Sequence, residues 1–263
     1  MSLTNQDKAE LNRLLLDFAK IGGTAEGGVK RLAATHIDGQ ARDRLQHELI
    51  ARGADLHIDP IGNMFGIFQF TDRDAPFILA GSHLDSQETG GRLDGTYGVL
   101  AALIAGDIIS RRLKESPHAA KYNFAVVNWT NEEGARFQPS LTGSSVFTET
   151  LDLDQALSIQ DAEGVSIGEA VKEIGYRGQK RFAAPVKHYL ELHIEQGPEL
   201  ESRNKAIGIV TSAWAARKLR LKFCGAPSHT GPTPMPRRRD ALLAASRAID
   251  FLHLMACDQK RLH

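Results

Sequence analysis

Cysteine is scarce in this sequence: Cys224 and Cys257 stand far apart and in no metal-type pairing. That argues against a disulfide scaffold and makes a reducing cytoplasm the expected compartment. An excess of charge of either sign is also missing, because 32 Lys and Arg balance 32 Asp and Glu. No net field recruits nucleic acid or an anionic membrane, and neither is an expected partner. No apolar run reaches membrane-spanning length. The opening "MSLTNQDKAELNRLLLDFAKIGG" lacks the basic region and apolar core of a signal peptide. Repeats and low-complexity segments are absent as well. What is there is an ordinary globular composition, 42% hydrophobic and 24% charged over 263 residues. Such a length accommodates one large domain, or one domain plus part of a second.

Hydrophobic spacing gives the order of elements. Leu11, Leu14, Leu15 and Phe18 fall at helical intervals and stop at Gly22 and Gly23. "GQARDRLQHELIARG" predicts a second helix closed by Gly53, and "ADLHIDPIGNMFGIFQF" predicts two strands about a Pro60–Gly62–Asn63 turn. "APFILAGSHLDS" and "KYNFAVVNWT" read as buried strands, and "KHYLELHIEQGP" as a third that ends at Gly197–Pro198. The helix in "DGTYGVLAALIAGDIISRRL" is apolar nearly all round and is expected to be well buried. Strands alternating with helices indicate an α/β fold, a mixed sheet flanked by helices. From about Thr211 the pattern changes: "ARKLRLKFCG" alternates like a half-exposed strand, and "RRDALLAASRAIDFLHLMA" is an amphipathic helix. We therefore expect a domain over 1–211 and the start of a small α+β lid or dimerisation domain over 212–263, incomplete after one strand and one helix.

In α/β sheets ligands collect beyond the carboxyl ends of the strands. Here the first such end carries His83 and Asp85, followed by Asp94 after a glycine-rich loop. The second carries Glu132 and Glu133, and the third carries His193. Imidazole and carboxylate are the ligand types for zinc and similar divalent ions. The i, i+2 spacing puts His83 and Asp85 on one side of a strand, where Asp85 can hold the distal imidazole N–H. Asp94 can bridge two ions, with Glu133 and His193 on opposite sides. Adjacent glutamates raise each other's pKa, and a nearby cation resolves that conflict. One then ligates while the other serves as general base toward a metal-bound water of pKa roughly 7.

Each residue taken alone has a plainer reading. A strand-end histidine is more often structural, Asp94 before Gly95 fits a turn or helix cap, and paired glutamates are usually solvated. His36, His47, His57, His118, His188, His253 and His263 lack a comparable setting, and Arg237, Arg238 and Arg239 read as a solvated helix start. Co-occurrence at successive strand ends is what favours a metal hydrolase.

Four blocks, "GSHLDSQETGGRLDGTYGVLAAL", "TNEEGARFQPSLTGS", "ELHIEQGPELE" and "GAPSHTGPTPMPRRRDAL", also carry a family resemblance. In this order they resemble the amidohydrolase branch of the aminoacylase/carboxypeptidase-G-like dinuclear metallohydrolases. That branch includes N-carbamoyl-L-amino acid hydrolases, β-ureidopropionases and allantoate amidohydrolases. The resemblance implies two divalent ions (zinc, or manganese, nickel or cobalt), with His83, Asp94 and His193 on one and Asp94 and Glu133 on the other. It implies Glu132 as general base, Asp85 as the residue orienting His83, and Gln196 near a small-molecule substrate. His229 matches a lid-domain histidine that reaches a neighbouring subunit's site and steadies the oxyanion, within a homodimer formed through the lid. The expected reaction is hydrolysis of amide or ureido C–N bonds, with aminoacylase or dipeptidase activity as the alternative within the superfamily. Family chains are longer, and a last metal-binding histidine and a carboxylate-binding arginine have no counterpart here. A truncated, non-catalytic relative is therefore a further alternative. Thr230 stands where relatives often have alanine.

Overall fold

The computed structural model describes residues 3–115, 120–213 and 219–258. His118 and His263, and Ala216–Lys218 of the expected lid strand, lie outside them. Helix α1 (Asn5–Lys20) starts at a reciprocal cap between Thr4 and Asp7, and helix α2 (His36–Ala51) starts where Thr35 accepts from the Asp38 amide. That cap places the start of α2 before the Gly39 that the apolar spacing indicated. Gly53, at φ +79°, closes the turn after α2 in a backbone region that side chains avoid. Strands β1 (Asp55–Ile58) and β2 (Met64–Phe68) are antiparallel. Their turn is tied by Asp59, whose Oδ1 accepts from the amides of Ile61 and Asn63.

Strand β3 (Phe77–His83), helix α3 (Thr96–Leu113) and strand β4 (Asn123–Trp129) form a parallel crossover unit. The sheet order is β1-β2-β4-β3-β5, with β5 (Val186–Leu190) parallel to β3. Leu14, Phe18, Leu45, Leu49, Val99 and Leu103 cover one face of the sheet. Phe65, Phe77, Leu79, Val127 and Trp129 form the other apolar layer, with Phe147 and Phe182 packed on it. Between β4 and β5 come three short helices, α4 (Thr142–Phe147), α5 (Leu153–Ser158) and α6 (Ile167–Glu173). They pack around Ile61, Phe137, Val146 and Val171. Helices of this length are too short to show a periodic pattern; the local signals are caps, Asp152 before α5 and the Ser166–Glu169 capping box at α6, which the apolar spacing does not register.

β5 departs from expectation. It ends at Leu190, well before Gly197–Pro198, and its residues are exposed. Among the described residues β3 is its only ladder neighbour, so it is an edge strand. Residues 191–198 then lead without regular structure to a single turn, α7 (Glu199–Ser202).

The chain divides into two compact units, Met1–Ser202 and Arg203–His263. The second contains a 3₁₀ turn at Met235–Arg237 and helix α8 (Ala241–Asp258). Residues 219–225, where the alternating pattern predicts a strand, do not form one. Alternation creates a strand only when a neighbour pairs with it, and no described segment does. The three arginines precede α8, and Arg238 is tied back to the loop, its Nε donating to the Thr233 carbonyl at 2.9 Å and its Nη2 to that of Thr230. Among the described residues no helix is long and apolar enough to cross a membrane.

Candidate metal centre

β3, β4 and β5 run parallel, so their carboxyl ends share one edge of the sheet. Register aligns them: His83 pairs with Trp129, and Ala80 pairs with Leu190. Three residues beyond Ala80 is His83, and three beyond Leu190 is His193. The two imidazoles lie with ring centroids 6.1 Å apart and planes 29° from parallel. Asp94 enters from the loop before α3. Gly95 follows it at φ +60°, and a Cβ there would lie 2.5 Å from His83 Nε2. Glycine lets the main chain pass directly against the imidazole, which is how Asp94 reaches both rings.

Both imidazoles are oriented by main-chain carbonyls. His83 Nδ1 donates to the Asp85 carbonyl at 2.8 Å, and His193 Nδ1 to that of Ile194 at 2.9 Å. A carbonyl only accepts, so the Nδ1 proton of each ring is fixed and Nε2 is turned to the site. His193 Nε2 lies 3.2 Å from Asp94 Oδ1, and His83 Nε2 lies 4.0 Å from it. One ligand atom from each of His83, Asp94 and His193 falls within 4.8 Å of the others. Two imidazole nitrogens and a carboxylate fit a zinc-like divalent ion.

Asp85 works differently from the sequence expectation. β3 ends at His83, so strand alternation does not extend to Asp85, whose carboxylate sits 3.9 Å from His83 Nδ1. The carboxylate instead accepts the Glu132 amide on Oδ1 and the Glu133 amide on Oδ2, each at 3.2 Å. Asp85 thus fixes His83 with its main chain and the glutamate loop with its side chain. Asn131 prepares that loop: it holds φ +52°, and its Nδ2 donates to the Phe137 carbonyl and Thr142 Oγ1.

Glu132 Oε2 lies 3.4 Å from His83 Nε2. Glu133 is held by Gln87, whose Nε2 donates to Oε2 at 2.7 Å, and its buried Oε1 has no hydrogen-bond partner among the described residues. Glu133 is not part of the three-residue ligand group. Gln196 Nε2 donates to Asp94 Oδ2 at 2.8 Å, which places that amide at the site. His229 belongs to the second unit, where the Gly231 amide donates to its Nδ1 at 3.1 Å and leaves the ring proton on Nε2. The described histidines set aside above stay outside this group: His36 meets Gln40, His188 packs on Tyr122, and His57 lies between Phe65 and Phe182.

The electrostatics follow from burial and crowding. Burial pushes the Asp85 carboxyl up to about 6. Burial also raises Glu132, and the charges of Glu133 and Glu191 add to it. The Asp94 hydrogen bond raises His193 to about 9 and holds the Asp94 carboxyl below its ordinary value. For His83, burial opposes the charged ring, but Asp85 and Glu132 outweigh it and its pKa is raised. Glu191 is a carboxylate the sequence reading passed over. It accepts from Ser82 Oγ and from Tyr189 Oη, each at 2.5 Å, and Tyr189 in turn accepts from Trp129 Nε1. Its i, i+2 spacing from His193 was the available signal.

The sequence profile of peptidase family M20/M25/M40 matches residues 79–256, which include the glycine loop, the paired glutamates and both site histidines. The chain belongs to this family. The M20-family relatives include the N-carbamoyl-L-amino-acid amidohydrolase of Rhizobium meliloti, 40% identical over 94% of this chain and 58% of its own length. The allantoate amidohydrolase of Bacillus subtilis is 36% identical over 90% of this chain and 57% of its own length. Among solved structures, an amidase of the hydantoinase/carbamoylase family from Burkholderia vietnamiensis aligns at TM-score 0.81 and 40% identity. That alignment covers 98% of this chain and 62% of the amidase. This M20-family chain therefore spans about three fifths of the length of the relatives it matches.

Proposed function

We propose that this chain carries the metal site of an amidohydrolase that cleaves C–N bonds in small ureido substrates, such as N-carbamoyl amino acids or allantoate. The observation that carries the reading is the His83–Asp94–His193 group at the sheet edge, with Glu132 against His83. The substrate class follows the names of the two relatives, an N-carbamoyl-L-amino-acid amidohydrolase and an allantoate amidohydrolase. His83, Asp94 and His193 would hold one divalent ion, and Asp94 and Glu133 a second, as zinc, manganese, nickel or cobalt. Such ions supply Lewis acidity toward a substrate carbonyl and make water a better nucleophile at neutral pH.

The chain's own residues do the rest. Glu132, its carboxyl raised by burial and by neighbouring carboxylates, takes the proton of the attacking water and returns it to the departing nitrogen. Asp85 keeps Glu132 and Glu133 in place through their amides. Gln196, its amide nitrogen committed to Asp94, would meet a substrate N–H with its carbonyl oxygen. His229, with its proton on Nε2, is suited to donate to the oxyanion from the lid of a homodimer. The test is an assay of ammonia release from carbamoyl-β-alanine, N-carbamoyl amino acids and allantoate, beside release of free amino acids from dipeptides. Ammonia from the ureido substrates is the expected result. Turnover of dipeptides alone would place the protein with the aminoacylases and dipeptidases instead.

A further inference from the structure

One side chain outside the ligand set stands directly against it. Gln87 Nε2 donates to Glu133 Oε2 at 2.7 Å, while Glu133 Oε1 is buried without a hydrogen-bond partner among the described residues. A buried carboxylate oxygen without a donor is costly, so its orientation needs a cause. Gln87 extends from a braced segment. Ser86 Oγ donates to the Gln87 carbonyl at 2.9 Å and accepts from the Arg31 amide at 2.9 Å. The Ser86 amide donates to the Arg31 carbonyl at 2.8 Å. The Arg31 side chain, 1% exposed, is anchored on the Leu84 carbonyl, the Ile21 carbonyl and Thr96 Oγ1. On the other side, the Glu133 amide is pinned by Asp85. With its main chain fixed and one oxygen tied to a charge-assisted donor, the carboxylate cannot rotate freely about its last bond.

We propose that Gln87 is a positioning residue for the metal centre, fixing the rotation of the Glu133 carboxylate so that Oε1 is kept for a divalent cation. The proposal rests on the reading of Glu133 as a ligand. Gln87 touches neither substrate nor cation and acts through Glu133. A neutral amide suits the task, because a cationic donor would repel the incoming ion and a carboxylate would repel Glu133.

The test titrates Co²⁺ into the full chain as wild type, Gln87→Met, Glu133→Ala and the double variant. Affinity is read by calorimetry and coordination by the visible absorption of bound cobalt. Gln87→Met keeps length and removes the donor. It is expected to weaken binding about tenfold, the lower end of the effect of such outer partners, and to shift the cobalt absorption. Because the Gln87 side chain is solvent-facing, its metal-free thermal midpoint should stay at the wild-type value. In the Glu133→Ala background the same change should do nothing. Equal or tighter binding in Gln87→Met, or an undiminished loss in the double variant, overturns the proposal. Wild-type binding in Glu133→Ala is a separate outcome that removes Glu133 from the ligand set altogether.

Discussion

Asp85 shows how one residue joins both halves of the site. Its carbonyl sets the His83 ring and its two carboxylate oxygens take the adjacent amides of Glu132 and Glu133. Asparagine at this position keeps the carbonyl contact but offers one acceptor oxygen, and turns an NH₂ group toward an N–H. We expect Asp85→Asn to lower stability by about 1–3 kcal/mol, the cost of a buried donor left unpaired. Metal affinity should fall by roughly 10- to 100-fold as the glutamate loop moves. Denaturant unfolding and metal titration read the two effects, and unchanged values in both would remove the clamp from the account. Identities at this scale were legible in the sequence because His83, Glu132 and His193 follow apolar strand runs. Contacts were not. Strand alternation would reach Asp85 only if β3 ran past His83, where it ends, and nothing local announces that Gln87 meets Glu133 or that Arg31 is buried against the Leu84 carbonyl and Thr96.

At the scale of elements, α3 sets how closely the site's strand ends approach. A Cβ at Gly98 would lie 2.5 Å from the Leu192 carbonyl and 2.8 Å from Ser82 Cβ. The obstructing carbonyl belongs to the residue before His193, and backbone cannot rotate aside. Alanine gains about 1 kcal/mol of helix propensity, but overpacking of this kind costs about 1–3 kcal/mol. Gly98→Ala should therefore unfold at lower denaturant and bind metal more weakly, because the His193 segment is pushed from Asp94. An unchanged metal affinity would show that the segment adapts without moving His193. α1 has its own pH signature. The Thr4 hydroxyl, the Thr4 amide and Arg111 hold the Asp7 carboxyl at about 2, against 3.8 unperturbed. A lowered folded-state pKa gives stability that is present above pH about 4 and lost as pH falls toward 2. Asp7→Asn should flatten the stability curve in that window; a curve parallel to wild type would contradict it. The long elements were legible because their apolar spacing spans several turns or alternations. α4, α5 and α6 are too short for apolar spacing to mark and are held by packing on Ile61 and Phe137, and their only local signals are the Asp152 cap and the Ser166–Glu169 capping box. The edge position of β5 was equally invisible, since strand order is a property of the sheet.

For the whole molecule, the three ligand-type residues come from the end of β3, the loop before α3 and the segment after β5. A cation bound there cross-links parts of the chain that are distant in sequence. Binding to the folded state alone stabilises it by about 2.7 kcal/mol at a free-ion concentration 100 times Kd. The thermal midpoint should rise with added Zn²⁺ or Co²⁺ and return on chelation; a midpoint insensitive to both would mean that the edge does not act as a cation site. If these strand ends form a metal centre, one glutamate of the pair stays free of ligand duty. The most direct measurement is a calorimetric titration of a divalent ion into wild type, His193→Ala and Glu132→Gln. Tight binding is expected in the wild type, its loss in His193→Ala, and near-wild-type binding in Glu132→Gln. Indistinguishable titrations of wild type and His193→Ala would contradict it.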